Sequence, residues 1–300
     1  MSFENRDGLL HVSLLGGQAR ALLMESTAMV EAARQTHKLS RTATAALGRS
    51  LTATAMMGCM LKGENESLST TITGDGPLGR VLCVAHSDGT VKGYVDHPEV
   101  DPPRNGKKLN VGAAVGRHGR LSVVKDMGMR DPYVGQVNLV SGEIAEDYAM
   151  YFTASEQTTS LVSLGVLVGE TVESAGGLII QLMPGASEAA IQSIEHSAGM
   201  FMDISATIKE YHLHGALQQL LMHLEPEVLE ERKPRYACDC SRERIVRMLI
   251  TLGADELRSM IAEQHGAEVD CHFCNKRYRF NEDELNELLR VAAAGGRNEV

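Results

Sequence analysis

Apolar residues recur along this chain in two rhythms, every second position and every third or fourth, and the shifts between them mark out its segments. From Gly8 to about Met24 the run LLHVSLLGGQARALLM predicts two strands joined through Gly16-Gly17. Two helices are expected next, over 26–38 and 40–62, the second rich in Ala, Thr and Met and therefore buried. Short strands follow with turn residues between them: STTIT, then Gly74-Asp75-Gly76-Pro77, RVLCVAH, Ser87-Asp88-Gly89 and TVKGYV. Further strands are expected near 109–115, 120–125 and 134–140. A helix opening at Ser141 or Gly142 runs through EIAEDYAMYFTAS, and strands at 160–168 and 177–182 complete an α+β core domain over 1–178.

The rhythm changes after that. Ile191, Ile194, Ala198 and Phe201 recur at helical spacing, as do Leu217, Leu220, Leu221 and Leu224, with charged stretches between and after them. Helices this short cannot bury their stripes on each other, so residues 179–236 are expected to be a linker docked on the first domain. A small module is expected over 237–294. Its helix 241–252 presents Ile245, Met248, Leu249 and Leu252 on one face, Leu257, Met260 and Ile261 mark a second helix, and Tyr278 and Phe280 lie further on. Asn281 with Glu284 three residues later forms a capping-box pattern for a last helix carrying Leu285, Leu288 and Leu289. Residues 295–300 read as a flexible tail. So few large apolar side chains make a marginal core, and something else must hold the module together.

The cysteines supply a candidate. Cys238-Asp-Cys240 and Cys271-His-Phe-Cys274 are two tight pairs separated by 30 residues. Folded back on each other, they offer four thiolates to one tetrahedral metal, for which Zn²⁺ is the expected ion at one per chain. The C-x-x-C half has ordinary zinc spacing; the C-x-C half is tighter. A purely structural staple remains open on spacing alone. The magnitudes point to a second possibility. Structural zinc contributes on the order of 10–16 kcal/mol, all coupled to folding. If an oxidant paired the thiols with their nearest neighbours in sequence, the closed loops of three and four residues would return under about 2 kcal/mol each. Such bonds tie neither half of the module to the other, so oxidation would eject the metal and unfold it. Loss of the module would free the docked linker and expose adaptable apolar surface able to hold unfolded chains.

Composition narrows the classes. The formal charge is −10 and no basic stripe with interleaved aromatics appears, which excludes a nucleic-acid grip. Aromatics are only 4% of residues against 15 Met, so the apolar surface is short of rigid anchors; most Met is expected to be core filler. Residues 43–61 come nearest to a membrane span, but Arg49 and several hydroxyl residues sit inside them, so a buried helix is expected. The segment Met1-Ser2-Phe3-Glu4-Asn5-Arg6-Asp7 has no leader pattern, and the expectation is a cytoplasmic protein. Gly74-Asp75-Gly76-Pro77-Leu78-Gly79 matches a dinucleotide fingerprint in form but contains Pro77 and leads into a strand, so it reads as a turn. Cys59 and Cys83 lie in apolar runs as inert thiols, and His212 and His214 are expected to be solvated.

The segments CDCSRERI, CHFC followed by KRYRF, GRLSVVKDMG, PYVGQVNLVSGEIAEDYAMYFTASEQ and AGGLIIQLMPGA resemble those of the heat-shock protein 33 family of redox-regulated bacterial holdase chaperones. The resemblance runs from the N-terminal hairpin to the last helix. It implies an ATP-independent, non-enzymatic cytoplasmic chaperone whose reduced, inactive form binds one Zn²⁺ through Cys238, Cys240, Cys271 and Cys274. It further implies that oxidation yields the disulfides Cys238–Cys240 and Cys271–Cys274, zinc release, unfolding of the C-terminal region and a homodimer. Unfolded clients would be held and passed to the Hsp70 foldase system. The client surface is expected to include Leu217, Leu220, Leu221 and Met222. The competing expectation is a permanently metallated zinc-ribbon adaptor or regulatory binding protein.

Overall fold

A computed structural model describes residues 6–106 and 108–295. They form two compact units that divide after Ala237.

The first unit is built on two sheets. One runs in the order β10-β1-β2-β9-β8, from β1 (Gly8–Leu14), β2 (Ala19–Glu25), β8 (Ser160–Val168), β9 (Val172–Leu182) and β10 (Glu227–Arg232). Its strands pair antiparallel throughout. The other runs β11-β5-β4-β3-β6-β7, from β3 (Ser67–Gly74), β4 (Arg80–His86), β5 (Thr90–Val95), β6 (Gly119–Asp126), β7 (Tyr133–Asn138) and the two-residue β11 (Arg235–Tyr236). Only β11 is parallel to its neighbour. Helix α1 (Thr27–His37) packs on β9, while α2 (Arg41–Gly58) touches β8 and β9 of the first sheet and β3, β4 and β5 of the second.

Helix α2 buries every residue except Arg41 and Arg49. Its Ala, Gly, Ser and Thr residues let both sheets approach. The hydroxyls of Thr44, Ser50, Thr52 and Thr54 donate to the carbonyls four residues back, so burying them strands no polar group. Cys83 is fully buried in the same core, and burial pushes the Cys59 thiol up to about 11, as inert thiols require.

Two expectations need correction. Residues 109–115 are not a strand: Asn110 accepts the Ala113 N–H through its side chain and caps the short helix α3 (Val111–Val115). The helix expected from Ser141 or Gly142 begins later, as α4 (Ala145–Ala154). The residues before it are wound around the fully buried Asp147, whose carboxylate accepts the N–H groups of Val140, Ser141, Gly142 and Ile144. Periodicity does not register a carboxylate collecting a loop's donors.

The segment expected as a linker is continuous with the first unit. The boundary expected at residue 178 falls inside β9, which runs on to Leu182. Then α5 (Glu188–Ser197), a 3₁₀ turn over Ala198–Phe201 and α6 (Ile204–Leu221) cover the second face of the first sheet. Ile194, Phe201, Ile204, Ile208, Leu213, Leu220, Leu221 and Leu224 are buried there against Leu10, Val12, Leu23, Leu178 and Ile180. The expected stripe is therefore present and packed. Helix α6 is broken at His212 (φ 54°, ψ −175°), which leaves the Leu213 N–H without a helical partner. The buried Glu25 carboxylate accepts that N–H at 3.0 Å and lies 3.3 Å from His212 Nδ1. His212 is thus part of a docking contact, while His214 is exposed and faces Glu231.

The charged stretch after α6 is not irregular: it supplies β10 and β11, one on the edge of each sheet. Glycine makes the α6 contact close. A Cβ on Gly165 in β8 would lie 2.7 Å from Ser205 Cβ and 2.9 Å from its backbone N.

The second unit comprises α7 (Arg242–Thr251), α8 (Ala254–Gln264), the hairpin β12 (Gly266–Asp270) and β13 (Arg277–Asn281), and α9 (Glu282–Gly295). The capping box expected at its last helix is present: Glu284 N–H donates to Asn281 Oδ1 and Asn281 N–H to Glu284 Oε2. Its core is small, with seven buried apolar residues: Ile245, Leu249, Leu257, Ala267, Tyr278, Phe280 and Leu285. Of the expected tail, residues 296–300 lie outside the described residues.

The glycine contact makes a quantitative expectation. Gly165→Val should lower the stability of the first unit by about 1–3 kcal/mol through overpacking against Ser205. It should also speed proteolytic cleavage within 204–221. Unchanged urea midpoints and cleavage rates would show that α6 does not depend on this approach.

Candidate metal centre

Each half of the site is set by local backbone chemistry. Cys238 and Cys240 immediately precede α7, whose N-cap Ser241 accepts the Arg244 N–H through its hydroxyl. Asp239, between the cysteines, pairs with Arg244. Arg242 lies 4.3 Å from the Phe280 ring centroid and donates to the Arg279 carbonyl and Glu284 Oε1, tying the start of α7 to β13 and α9. Cys271 and Cys274 occupy the turn between β12 and β13. There the Cys271 carbonyl accepts N–H groups from both Cys274 (3.2 Å) and Asn275 (2.7 Å), and the Cys271 N–H donates to Lys276 O at 2.9 Å. Asn275 takes φ 57°, a left-handed position that Asn tolerates and that lets the chain turn back sharply.

The four sulfurs converge. All lie within 4.8 Å of one another, with Cys238 Sγ to Cys271 Sγ at 3.6 Å and Cys240 Sγ to Cys274 Sγ at 3.3 Å. These are free thiols, since a disulfide would bring sulfurs to about 2.05 Å. A tetrahedral zinc with Zn–S bonds of about 2.3 Å separates its sulfurs by roughly 3.8 Å, so the cluster fits such an ion. The Tyr278 hydroxyl donates to Cys240 Sγ at 3.2 Å, a contact that orients a ligand from outside the cluster.

The electrostatics agree. Burial, and then contacts with Cys240 and Cys271 that favour the neutral form, push the Cys238 thiol well above its ordinary value. Cys274 is pushed up to about 11, again chiefly by burial. At Cys240 burial is outweighed by hydrogen bonds from Tyr278, Cys274, Cys238 and Cys271, which bring it down to about 7. Neutral thiols thus stabilise one thiolate at the expense of the others, and full ionisation of the set calls for a cation.

The four cysteines singled out by spacing are brought together here. The residues expected at a client surface are distributed differently. Leu220 and Leu221 are buried beneath α6, Leu217 is half-buried, and Met222 is exposed at 58%. Tyr278 and Arg242 escaped the sequence reading as site residues; the sequence places Tyr278 only by its position after the second cysteine pair, and its hydroxyl's aim depends on the β12–β13 register.

Comparison with known proteins places this geometry. The family model described as Hsp33 protein matches residues 7–281. The chain belongs to the Hsp33 family. It is 45% identical over 289 residues to the 33 kDa chaperonin of Clostridioides difficile (strain 630), covering 95% of this chain and 99% of that one. The 33 kDa chaperonin of Bacillus cytotoxicus is 44% identical over 290 residues, at 95% and 99% coverage. Among solved structures, the 33 kDa chaperonin (heat shock protein 33 homolog) of Thermotoga maritima superposes with a TM-score of 0.86 at 37% identity, covering 96% of this chain and 99% of that chain. Hsp33 membership at this coverage carries redox-regulated chaperone function and the binding of unfolded proteins, and does not favour a permanently metallated adaptor. The α+β architecture with its cysteine-bearing C-terminal unit is that of the Hsp33 structure. Among the described residues no helix is long and apolar enough to cross a membrane.

The Tyr278 contact is open to direct measurement. Tyr278→Phe removes one hydroxyl and should weaken metal retention by roughly tenfold, read by competition with a chromogenic chelator. Retention equal to the parent would assign Tyr278 to the core alone.

Proposed function

We propose that the chain is an ATP-independent holdase whose reduced form carries one Zn²⁺ on Cys238, Cys240, Cys271 and Cys274 and is activated by oxidising those cysteines. The observation that carries the reading is the convergence of four sulfurs within 4.8 Å in the unit with the smallest core. Bound there, the metal supplies a cross-link between the start of α7 and the β12–β13 turn. Oxidation of the four thiolates by two equivalents of a peroxide, with four protons taken from solvent, would form two disulfides and reduce each peroxide to two waters, or to an alcohol and one water. The thiolate ligands are consumed and the ion leaves.

The pattern of disulfides decides whether the unit stays closed. Bonds across the closest sulfurs, Cys238–Cys271 and Cys240–Cys274, would close loops of about 34 residues, retain close to 4 kcal/mol each and staple the unit shut. Bonds between sequence neighbours, Cys238–Cys240 and Cys271–Cys274, leave the halves untied and the small core to stand alone. The second pattern is the one that activates. Unfolding then propagates into residues 179–236, baring Leu217, Leu220, Leu221 and Met222 to clients. The oxidised chain dimerises, hands its clients to an Hsp70-type foldase, turns over no substrate and works in the cytoplasm.

Peroxide at elevated temperature should release about one equivalent of zinc, as light scattering from a heat-unfolded client falls. Peptide mapping without reductant should give the two neighbour disulfides. Retention of the ion with full activity, or mapping to the crossed pairs, would refute the switch. Cys271→Ser with Cys274→Ser should abolish the dependence of activity on oxidant.

A further inference from the structure

The six-stranded sheet ends in a strand that hardly belongs to it. β11 contributes two residues, pairs parallel where every other pairing in that sheet is antiparallel, and ends at Tyr236, with Ala237 alone between it and Cys238. Its attachment is nonetheless specific. Arg235 N–H donates to the Gly89 carbonyl at 2.9 Å and Ala237 N–H to the Val91 carbonyl at 3.0 Å. Between them Tyr236 turns inward onto the main core, its hydroxyl donating to the Gly93 carbonyl at 3.1 Å and lying 2.9 Å from His37 Nε2 on α1. Three alternate carbonyls along this edge, Gly89 just before β5 and Val91 and Gly93 within it, are therefore each met by a donor from the segment 235–237. Outside them Arg235 pairs with Asp88 at 3.2 Å. Gly89, at φ +83°, brings its backbone against Pro234, where a Cβ would lie 3.5 Å from Pro234 Cα.

We propose that the outer edge of β5 is a docking strand for extended segments of unfolded polypeptide, and that residues 235–237 occupy it as a built-in competitor until the C-terminal unit melts. The inference rests on the chaperone reading and adds the place and chemistry of one client contact. The present occupant defines what fits: an extended backbone, an aromatic residue with a hydroxyl for the Gly93–His37 socket, and a basic residue before it facing Asp88. An edge strand stripped of its partner presents unpaired carbonyls, which is the condition for strand addition. A two-residue strand is the cheapest to release, and one tethered next to the switch cysteine is freed when the switch opens. Sequence-independent backbone pairing suits a protein that must hold many clients, and the socket adds a preference.

The test uses the full-length chain in two states, reduced with zinc and oxidised without it. The probe is a fluorescein-labelled peptide, Lys-Pro-Arg-Tyr-Ala-Ser, followed by fluorescence anisotropy. It should bind the oxidised chain and not the reduced one. N-methylation of its Arg and Ala nitrogens removes the two backbone donors and should weaken binding about tenfold, as should replacing its Tyr by Ala. His37→Ala should weaken the Tyr peptide several-fold and leave a Phe peptide unaffected. Equal affinity for parent and N-methylated peptides, or equal binding to both states of the chain, would overturn the edge. The same samples are assayed for suppression of client aggregation. Suppression with peptides that do not discriminate sinks the β5 proposal and leaves the chaperone reading standing; no suppression sinks the chaperone reading itself.

Discussion

Four cysteine sulfurs packed within 4.8 Å of one another is an arrangement that a chain holds only against a cost. Ionised, they repel; neutral, they are weak hydrogen-bonding partners in a half-buried setting. A cation removes the conflict, and the geometry of both knuckles is spent on presenting ligands to it. The Asn275 left-handed turn and the doubly accepting Cys271 carbonyl close the β12–β13 hairpin so that its cysteines face the other pair, and the Arg242 bridge holds the start of α7 against β13 and α9. Among the described residues the same unit buries only seven apolar side chains, so under the proposed metal binding a cross-link there would weigh heavily in its stability.

The contrast with the first unit is one of kind. There α2 is wrapped on two sides by sheet, with its hydroxyls satisfied by its own backbone. Cys59 and Cys83 sit inside it with burial holding their thiols neutral, so they are poor targets for an oxidant. Among the cysteines, those open to an oxidant therefore lie in the unit with the smaller core.

Much of this could be read from residues. The C-x-C and C-x-x-C pairs, the Asn281–Glu284 capping box and the apolar stripes of α5 and α6 each follow from local spacing, which survives into the structure because local hydrogen bonds and one buried face decide it. What escaped was set by contacts distant in sequence or by a single polar side chain. α3 looked like a strand because Val111-Gly112-Ala113-Ala114-Val115 has strand-like composition, yet one Asn110 cap turns it. The start of α4 is delayed by Asp147 gathering loop donors. β10 and β11 hide in a charged, mostly exposed stretch because an edge strand draws its pairing from a neighbour's backbone rather than from its own apolar residues.

Under the proposed switch, those two edge strands offer a route by which melting that begins at Cys238 reaches the first unit. α6 is fixed by a long stripe of apolar burial and by the Glu25 carboxylate at its break, whereas β11 is fixed by two backbone hydrogen bonds, the Tyr236 hydroxyl with Gly93 and His37, the packing of one half-buried ring and one exposed ion pair. Exposed pairs contribute little, and a short parallel ladder contributes less than an antiparallel one. If the proposed switch operates, release should begin at Cys238 and move backwards, through β11, then β10, and only last into α6. A graded release of this kind ties the area of sheet edge and helix face laid open to how far the melting has run, so that a partly oxidised population would hold clients by strand addition before any of the Leu220–Leu221 surface is bared.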